Sequence, residues 1–204
     1  MESREPKKGE GVPRETRQRN NLAALQEALG TRFPDVEWSV LPARLEAAGF
    51  FEAGMSAQLR LMAQASLELL GASHDPAGLI EALAASPAQK VRGVAAVAVP
   101  LVHPHDLGRQ LDSLHMTAAL DGIWPQELSN GALHDLVIAY GFDAVFPHVE
   151  PWLDAPEPAL RRVVAEAFRP RGVMLAHITE LKNNPAPLKP LLERLLDDPS
   201  DYVR

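Results

Sequence analysis

An all-α fold, in which pairs of helices stack into an α-solenoid, is what this sequence of 204 residues predicts. Apolar residues recur three and four positions apart from residue 21 onward, as they do on one face of a helix, and no run alternates like a strand. The 18 prolines and 13 glycines divide the chain into many short elements. We therefore expect roughly four to five helix pairs with abrupt ends.

The N-terminal residues differ from the rest of the chain. Residues 1–19 mix both charges with glycine and proline and show no apolar period, which predicts a mobile arm. A helical repeat domain is expected to follow over residues 20–204. The predicted helices in order are 21–29, 38–48, 56–70, 76–85, 87–99, 106–120, 131–140, 142–153, 157–169, 173–182 and 187–196.

Specific residues mark where several of these helices start and end. A capping residue followed by proline predicts a helix start at three places: Asp75-Pro76, Ser86-Pro87 and Asp198-Pro199. Glycines that can close a helix in a left-handed conformation stand at four others: Gly30, Gly49, Gly71 and Gly141.

The helix starts also repeat one another. Pro87, Pro156 and Pro199 are each followed by an aliphatic residue and then arginine, as Val91-Arg92, Leu160-Arg161 and Val203-Arg204. The prolines are 69 and 43 residues apart; 43 fits the period of two-helix HEAT repeats, and 69 leaves room for one short degenerate repeat. This pattern predicts a HEAT-like solenoid whose arginines line one edge. An irregular helical bundle with prolines at its helix starts is the alternative.

The composition excludes several classes of protein. Cysteine is absent, which excludes a disulfide framework, a thiolate nucleophile and a cysteine-ligated zinc. The first twenty residues lack the apolar core of a signal peptide, and the longest apolar run, 93–102, is far shorter than the ~20 residues of a membrane span. His103-Pro104-His105-Asp106 has metal-ligand types but is expected to be a polar turn. We expect a cytoplasmic protein with no membrane partner, metal or cofactor.

Charge is unevenly distributed along the chain, whose net charge is -7. Residues 21–157 hold 6 basic against 17 acidic residues, whereas residues 158–195 hold 7 against 3. An anionic partner is therefore expected to bind the C-terminal third.

The basic third contains one helix with a distinctive charged face. The predicted helix 157–169 buries an apolar stripe and places Arg161 and Arg169 along an exposed edge, with Arg162 and Glu166 beside them. Glu166 could form intrahelical ion pairs with Arg162 and Arg169, worth about 0.2–0.5 kcal/mol each. Alternatively, the carboxylate acts on a polyanion that the arginines hold. The residues by themselves leave both interpretations open.

The same stretch resembles a known family. LRRVVAEAFRPR, from Leu160 to Arg171, is similar to the V-R-R-L-x-S-E-G-x-R-P-R segment of the AlkC branch of the AlkD-like DNA alkylation repair proteins. LLERLLDDPSDYVR, residues 191–204, is similar to the L-L-E-x-L-K-D-D-P-S-x-Y-V-R segment that follows in the family. The resemblance implies a HEAT-like glycosylase that excises alkylated purines from duplex DNA by hydrolysis of the N-glycosidic bond.

This resemblance also implies roles for particular residues. Glu166 matches the family's glutamate and would be the catalytic carboxylate, stabilising the positive charge that develops on the deoxyribose. The expected DNA-binding residues are Arg161, Arg162, Arg169, Arg171, Lys182, Trp152, Tyr202 and Arg204. For Trp152, Tyr202 and Trp124, packing in the core is the alternative.

The sequence also departs from the family pattern. Ala165 and Ala167 replace its serine and glycine, and Gly172-Val173 replaces the start of its L-P-W. The family continues after Y-V-R with a helix carrying S-V-A-N-x-L-N-D-x-x-K-D-H-P, so the repeat domain is expected to be C-terminally incomplete. Whether the chain is an enzyme therefore stays open, and a noncatalytic HEAT-type scaffold that binds a protein partner is the alternative.

Overall fold

A computed structural model describes residues 12–171 and 175–204, and in these residues the fold is all-α, as the sequence predicts. The helices are α1 (Arg14–Arg32), α2 (Leu41–Ala47), α3 (Met55–Leu70), α4 (Ala77–Ala84), α5 (Gln89–Val102), α6 (Leu107–Ala118), α7 (Ile123–Tyr140), α8 (Phe142–Val149), α9 (Pro158–Ala167), α10 (Thr179–Asn183) and α11 (Lys189–Leu196). Short 3₁₀ helices cover Trp38–Val40, Glu150–Asp154 and Ala186–Leu188.

Alternate helices form a layer along the molecule. Helices α3, α5, α7 and α9 contact one another in that order, while α4 packs on α5 and α6 packs on α7. The 3₁₀ helix after α8 packs on α9, which α11 also contacts. Their apolar faces share one core that runs from Leu22 in α1 to Leu195 in α11. The architecture is therefore a HEAT-like α-solenoid rather than an irregular bundle.

Small residues allow the central helices to pack closely. A Cβ atom at Gly93 of α5 would lie 2.6 Å from Cδ1 of Leu128 and 3.3 Å from the backbone carbonyl carbon of Trp124, both in α7. Gly122, just before α7, has a φ of +108°, which side-chain-bearing residues rarely adopt. Glycine at these two positions therefore sets how α7 begins and how closely it approaches α5.

Most predicted helix boundaries agree with the structure, but the helix predicted over 131–140 begins eight residues earlier, at Ile123, and the first helix also differs. Helix α1 begins at Arg14 rather than near Asn20, because Arg14 and the buried Gln18 donate hydrogen bonds to backbone carbonyls at Phe51 and Ala53. Residues 14–19 thus belong to the folded domain, while residues 1–11 of the predicted arm lie outside the described residues. Gly30 lies inside α1, and the other three glycines predicted to end helices do have positive φ.

The predicted helix 173–182 also differs from the structure. Residues 173 and 174 lie outside the described residues, and α10 covers only Thr179–Asn183. His177 instead pairs with Arg171 in an isolated antiparallel bridge, and the amide of Ile178 donates to the carbonyl of Pro170. These long-range backbone hydrogen bonds replace the ones that a helix would make.

Candidate nucleic-acid interface

One side-chain hydrogen bond recurs in four repeats. Each of its donors reaches the backbone carbonyl six residues earlier, and in the first three cases the bond crosses the turn that precedes a helix. The four bonds are Arg92 Nη1 to Ser86 at 3.0 Å, Gln126 Nε2 to Leu120 at 3.2 Å, Arg161 Nη1 to Ala155 at 2.7 Å, and Arg204 Nη1 to Asp198 at 2.6 Å. We call Arg92, Gln126, Arg161 and Arg204 the staple residues.

The staple residues define the repeat frame of the solenoid. Gln126 divides the interval between Arg92 and Arg161 almost equally, so the short degenerate repeat predicted from the spacing is present. The spacing predicted this repeat, but the proline–aliphatic–arginine motif could not locate it, because Gln126 replaces the arginine and no proline precedes it at the expected distance. Glutamine can make the same bond because its side-chain amide is also a donor.

Arg161 is committed to internal contacts rather than to solvent. Its Nε and Nη2 donate to the two carboxylate oxygens of Asp198 at 2.7 and 2.9 Å, and Nη1 also reaches the carbonyl of Pro156 at 3.1 Å. The two side chains are only 10% and 3% exposed. The hydrogen bond from Arg161 holds the pKa of Asp198 below its usual value, although burial opposes this shift. The expected DNA contact by Arg161 is therefore replaced by a structural ion pair.

Arg162 and Tyr202, also predicted to bind DNA, lie next to each other at the surface. The Arg162 guanidinium carbon lies 4.5 Å from the centre of the Tyr202 ring, and Nη2 is 3.1 Å from a carboxylate oxygen of Glu127. The Tyr202 hydroxyl donates to Gln126 at 2.6 Å. These contacts connect α7, α9 and the segment after α11 on one face.

A second pair of this kind lies two repeats earlier. The Lys90 ammonium is 5.1 Å from the centre of the Trp124 ring. Lys90, Trp124 and Tyr202 each lie two residues before a staple residue, so they occupy equivalent positions of their repeats. Equivalent positions in stacked repeats line up along one edge. We call Lys90, Trp124, Arg162 and Tyr202 the cation-aromatic edge.

Lys90 was not predicted as a site residue. It lies in the acidic part of the chain, where the charge count gives no reason to expect an anion-binding residue. Its register relative to Arg92 would have identified it, but only once Gln126 had been recognised as a staple residue.

Glu166 follows Arg162 by one helical turn and is partly buried. A carboxylate oxygen lies 2.9 Å from Nη1 of Arg169, and the side chains of Glu166 and Arg169 are 22% and 55% exposed. The expected pair with Arg162 is not formed, because Arg162 pairs with Glu127 instead. Glu166 thus has one arginine counterion that is itself open to solvent.

His134 supports the segment that follows Glu166. The ring is fully buried, with Nδ1 2.7 Å from the carbonyl oxygen of Ala167 and Nε2 2.8 Å from that of Ala176. It therefore joins the end of α9 to the start of the next described stretch. Arg171 is exposed within this segment, and Lys182 is exposed on α10. Arg171 lies two residues after Arg169, and the side chains of both Arg171 and Lys182 are open to solvent.

Trp152 is less accessible than the prediction requires, whereas Arg204 is exposed but is engaged in contacts within the protein. Trp152 is buried in the 3₁₀ helix after α8, with its ring centre 5.1 Å from that of His115 in an edge-on contact. Core packing, the alternative for this residue, is what the structure has. Arg204 is a staple residue and also pairs with Asp201.

The histidine-rich turn before α6 has a structural role. Asp106 caps α6 by accepting the amide of Arg109 at 3.0 Å, and His103 is buried. Within residues 12–171 and 175–204, no three His, Cys, Asp or Glu side chains converge as metal ligands. In the same residues no helix has the length and apolar character to cross a membrane.

One sizeable cavity lies away from the edge. It has a volume of about 580 Å³ and is lined by α3, α5, α6 and α7, with apolar side chains such as Leu59, Leu114 and Leu136. Arg60 and Asp135 also line it. Burial raises the pKa of Asp135, while His134 and Arg60 act in the opposite direction. The cavity is therefore a mainly apolar cleft that contains one acidic side chain, Asp135, and one basic side chain, Arg60.

Comparison with known proteins supports the fold. The chain matches the structure of a Pseudomonas fluorescens alkylpurine DNA glycosylase, AlkC, bound to DNA containing an abasic site analog, with a TM-score of 0.79 and 15% sequence identity. The match covers 94% of this chain and 52% of that protein, so the chain spans about half the length of its structural neighbour. No family model and no curated protein sequence matches. The chain is an α-solenoid that carries the cation-aromatic edge, and at this identity the likeness to AlkC extends to the fold alone.

Proposed function

We propose that this chain binds duplex DNA and excises alkylated purines by hydrolysis of the N-glycosidic bond. The observation that carries the proposal is the Glu166–Arg169 pair, 2.9 Å apart, one helical turn from Arg162, which is partly exposed and stacks on the exposed Tyr202. This arrangement places the partly buried carboxylate of Glu166 next to arginines that can bind a phosphate backbone. The AlkC neighbour, an alkylpurine glycosylase bound to DNA, supports the same reading at the level of fold.

Arg169 has a specific role in this proposal. In the free protein it neutralises Glu166, but its side chain is more than half exposed and can turn to a phosphate. Binding of DNA would then leave the Glu166 carboxylate without its counterion, next to the sugar. Arg171, Lys182 and Arg162 would supply further phosphate contacts, which position the duplex without reading its sequence.

The chemistry follows from the charge that develops at the sugar. When the C1′–N bond breaks, its electron pair leaves with the alkylated base and neutralises the positive charge of that base. Positive charge develops on the deoxyribose, where the Glu166 carboxylate stabilises it. Water then adds at C1′ and loses a proton, for which the same carboxylate is an acceptor.

DNA binding is tested first, by the salt dependence of affinity for an unmodified duplex. Removing two phosphate contacts with Arg169→Ala and Arg171→Ala is expected to lower the slope of log affinity against log salt by about 2. The control removes two exposed arginines elsewhere, with Arg44→Ala and Arg109→Ala, and is expected to keep the slope. Equal slopes in the two double variants would contradict the proposed interface.

Catalysis is tested separately by release of methylated purines from alkylated duplex DNA. Glu166→Gln keeps the shape of the side chain but removes its charge, so release is expected to disappear while DNA affinity is retained. Glu193→Gln, in an exposed glutamate on α11, is the matched control. Base release by Glu166→Gln at the wild-type rate would refute the catalytic assignment.

A noncatalytic scaffold is the second candidate function. It is favoured by the apolar cleft of about 580 Å³ between α3, α5, α6 and α7, which the DNA proposal does not use. Exposed apolar surface of this kind is typical of protein-binding sites. An affinity for duplex DNA that neither salt nor the arginine substitutions change would favour the scaffold over the glycosylase.

A further inference from the structure

A basic cluster lies at the N-terminal end of the solenoid, and one of its members, Lys90, comes from the acidic part of the chain, residues 21–157. Arg14 and Arg17 occupy the first turn of α1, which contacts α5, and Lys90 lies in the first turn of α5. Burial lowers the pKa of Lys90, and the nearby charges of Arg17 and Arg14 lower it further. The first turns of two contacting helices therefore carry three cations.

No carboxylate compensates this cluster among the described residues. Glu15, the acidic residue in the first turn of α1, is bound to Arg19 at 2.7 Å. Neither arginine of the cluster nor Lys90 forms an ion pair within residues 12–171 and 175–204. Arginines at a helix N-terminus also oppose the helix dipole, which favours acidic residues there.

Specific contacts hold the cluster in place. The Arg14 guanidinium donates to the carbonyls of Ala53 at 2.8 Å and Phe51 at 3.3 Å, so its position is fixed by the turn before α3. The Lys90 ammonium lies 5.1 Å from the centre of the Trp124 ring. Arg17 is exposed and lies three residues after Arg14, about one turn further along α1. Arg14, Arg17 and Lys90 are like charges without an acidic partner among the described residues, which indicates a binding site for an anion.

We propose that Arg14, Arg17 and Lys90 form a second phosphate-binding site, which takes the phosphodiester backbone of the same DNA duplex. The inference rests on the proposed function and extends it to the opposite end of the cation-aromatic edge. Lys90 and Tyr202 occupy equivalent repeat positions, so Lys90 lies on the same edge as Tyr202 and its neighbour Arg162.

The separation of the two sites suits one duplex. Helix α5 is two helices away from α9, which at about 8–10 Å between neighbouring axes gives a separation of about 16–20 Å. Successive phosphates along one strand are about 3.4 Å apart along the duplex axis. About five or six nucleotides therefore span the distance, and one backbone can contact both sites.

The test measures affinity against salt for a duplex of about 20 base pairs, two helical turns long. Lys90→Ala and Arg17→Ala are each expected to lower the slope by about 1, since each removes one phosphate contact. Lys90→Arg is expected to restore the slope. The control, Lys189→Ala, removes a lysine that is already paired with Glu193 on α11 and is expected to leave the slope unchanged.

The outcomes separate this inference from the function on which it rests. If Arg169→Ala with Arg171→Ala lowers the slope but Lys90→Ala and Arg17→Ala do not, the second site is refuted and DNA binding stands. Inorganic phosphate provides a further check on the source of the anion. If it raises the thermal stability of the wild type but not of Lys90→Ala, and the DNA slope is insensitive to Lys90, the site binds free phosphate and the backbone assignment is overturned.

Discussion

Replacing Asp198 by asparagine tests whether the buried ion pair with Arg161 holds the end of the chain onto α9. The pair has two hydrogen bonds, at 2.7 and 2.9 Å, and both side chains are at least nine-tenths buried. Asparagine keeps the size of the side chain and can still accept the amide of Ser200, as Oδ1 of Asp198 does at 2.8 Å. The substitution therefore removes the charge while it preserves the local turn.

The expected loss follows from the burial of the guanidinium. Removing one partner of a buried ion pair costs about 3–5 kcal/mol, because the other charge is left without compensation. The lower end applies here, since the amide oxygen of asparagine still accepts one hydrogen bond and Arg161 keeps its bonds to two backbone carbonyls. A loss of about 3 kcal/mol corresponds to a fall in Tm of about 6–12 °C in a chain of this length.

Thermal unfolding followed by circular dichroism at neutral pH measures this loss. Asp201→Asn is the matched control, because Asp201 is 92% exposed in its pair with Arg204 and is expected to change stability by less than about 0.5 kcal/mol. A double variant, Arg161→Met with Asp198→Leu, is expected to recover most of the stability, since apolar residues of similar size replace the pair. A loss below about 1 kcal/mol in Asp198→Asn would show that the pair does not anchor this end of the solenoid.

Three further predictions concern acid stability, helix packing and the segment after α9. The pKa of Asp198 is lowered in the folded protein, so its contribution to stability is present above the unfolded carboxyl pKa of about 3.9 and is lost as the pH falls through the folded value. The stability of the wild type should therefore decline more steeply in acid than that of Asp198→Asn. Urea unfolding at a series of pH values measures this difference. Gly93→Ala is expected to destabilise the protein by about 1–3 kcal/mol relative to Gly131→Ala. A Cβ atom at Gly93 would lie 2.6 Å from a side-chain atom of α7, whereas one at Gly131 would lie 4.0 Å from its nearest neighbour. Equal Tm values for the two variants would contradict the packing argument. His134→Leu leaves a buried carbonyl without a donor and is expected to lower stability by about 1–3 kcal/mol. Relative to the wild type, hydrogen exchange is expected to become faster in residues 168–171 and 175–178 than elsewhere. A uniform change in exchange would refute a local role for His134.

The repeat architecture was predictable because it depends on local signals. Proline starts a helix, an aliphatic residue one turn later packs inward, and both act within a few residues of each other. The staple hydrogen bond has the same local origin, since it spans only six residues at Arg92 and Arg161 alike. Even the degenerate repeat at Gln126 was detectable as a gap in the spacing.

The partners of the charged side chains were not predictable in this way. A helical wheel pairs Glu166 with Arg162 because they are four residues apart, yet Arg162 pairs with Glu127, which is 35 residues away. The wheel also places Arg161 on an exposed edge, whereas Asp198 draws it into the interior from 37 residues away. Long side chains choose among neighbours on adjacent helices, and those neighbours depend on the stacking of the repeats.

The cations that are available to bind an anion are distributed differently from the net charge along the sequence. Arg161 and Arg194 contribute to the basic balance of the C-terminal third, but Arg161 is paired with Asp198, and Arg194 with Glu150 and Asp154. Charge counted along the sequence therefore overstates the cations that this third presents to a partner. Lys90 shows the opposite case, because it lies in the acidic part of the chain yet forms no ion pair within residues 12–171 and 175–204. A repeat protein turns one sequence position into one edge, so register within the repeat is a better guide to a binding surface than local net charge.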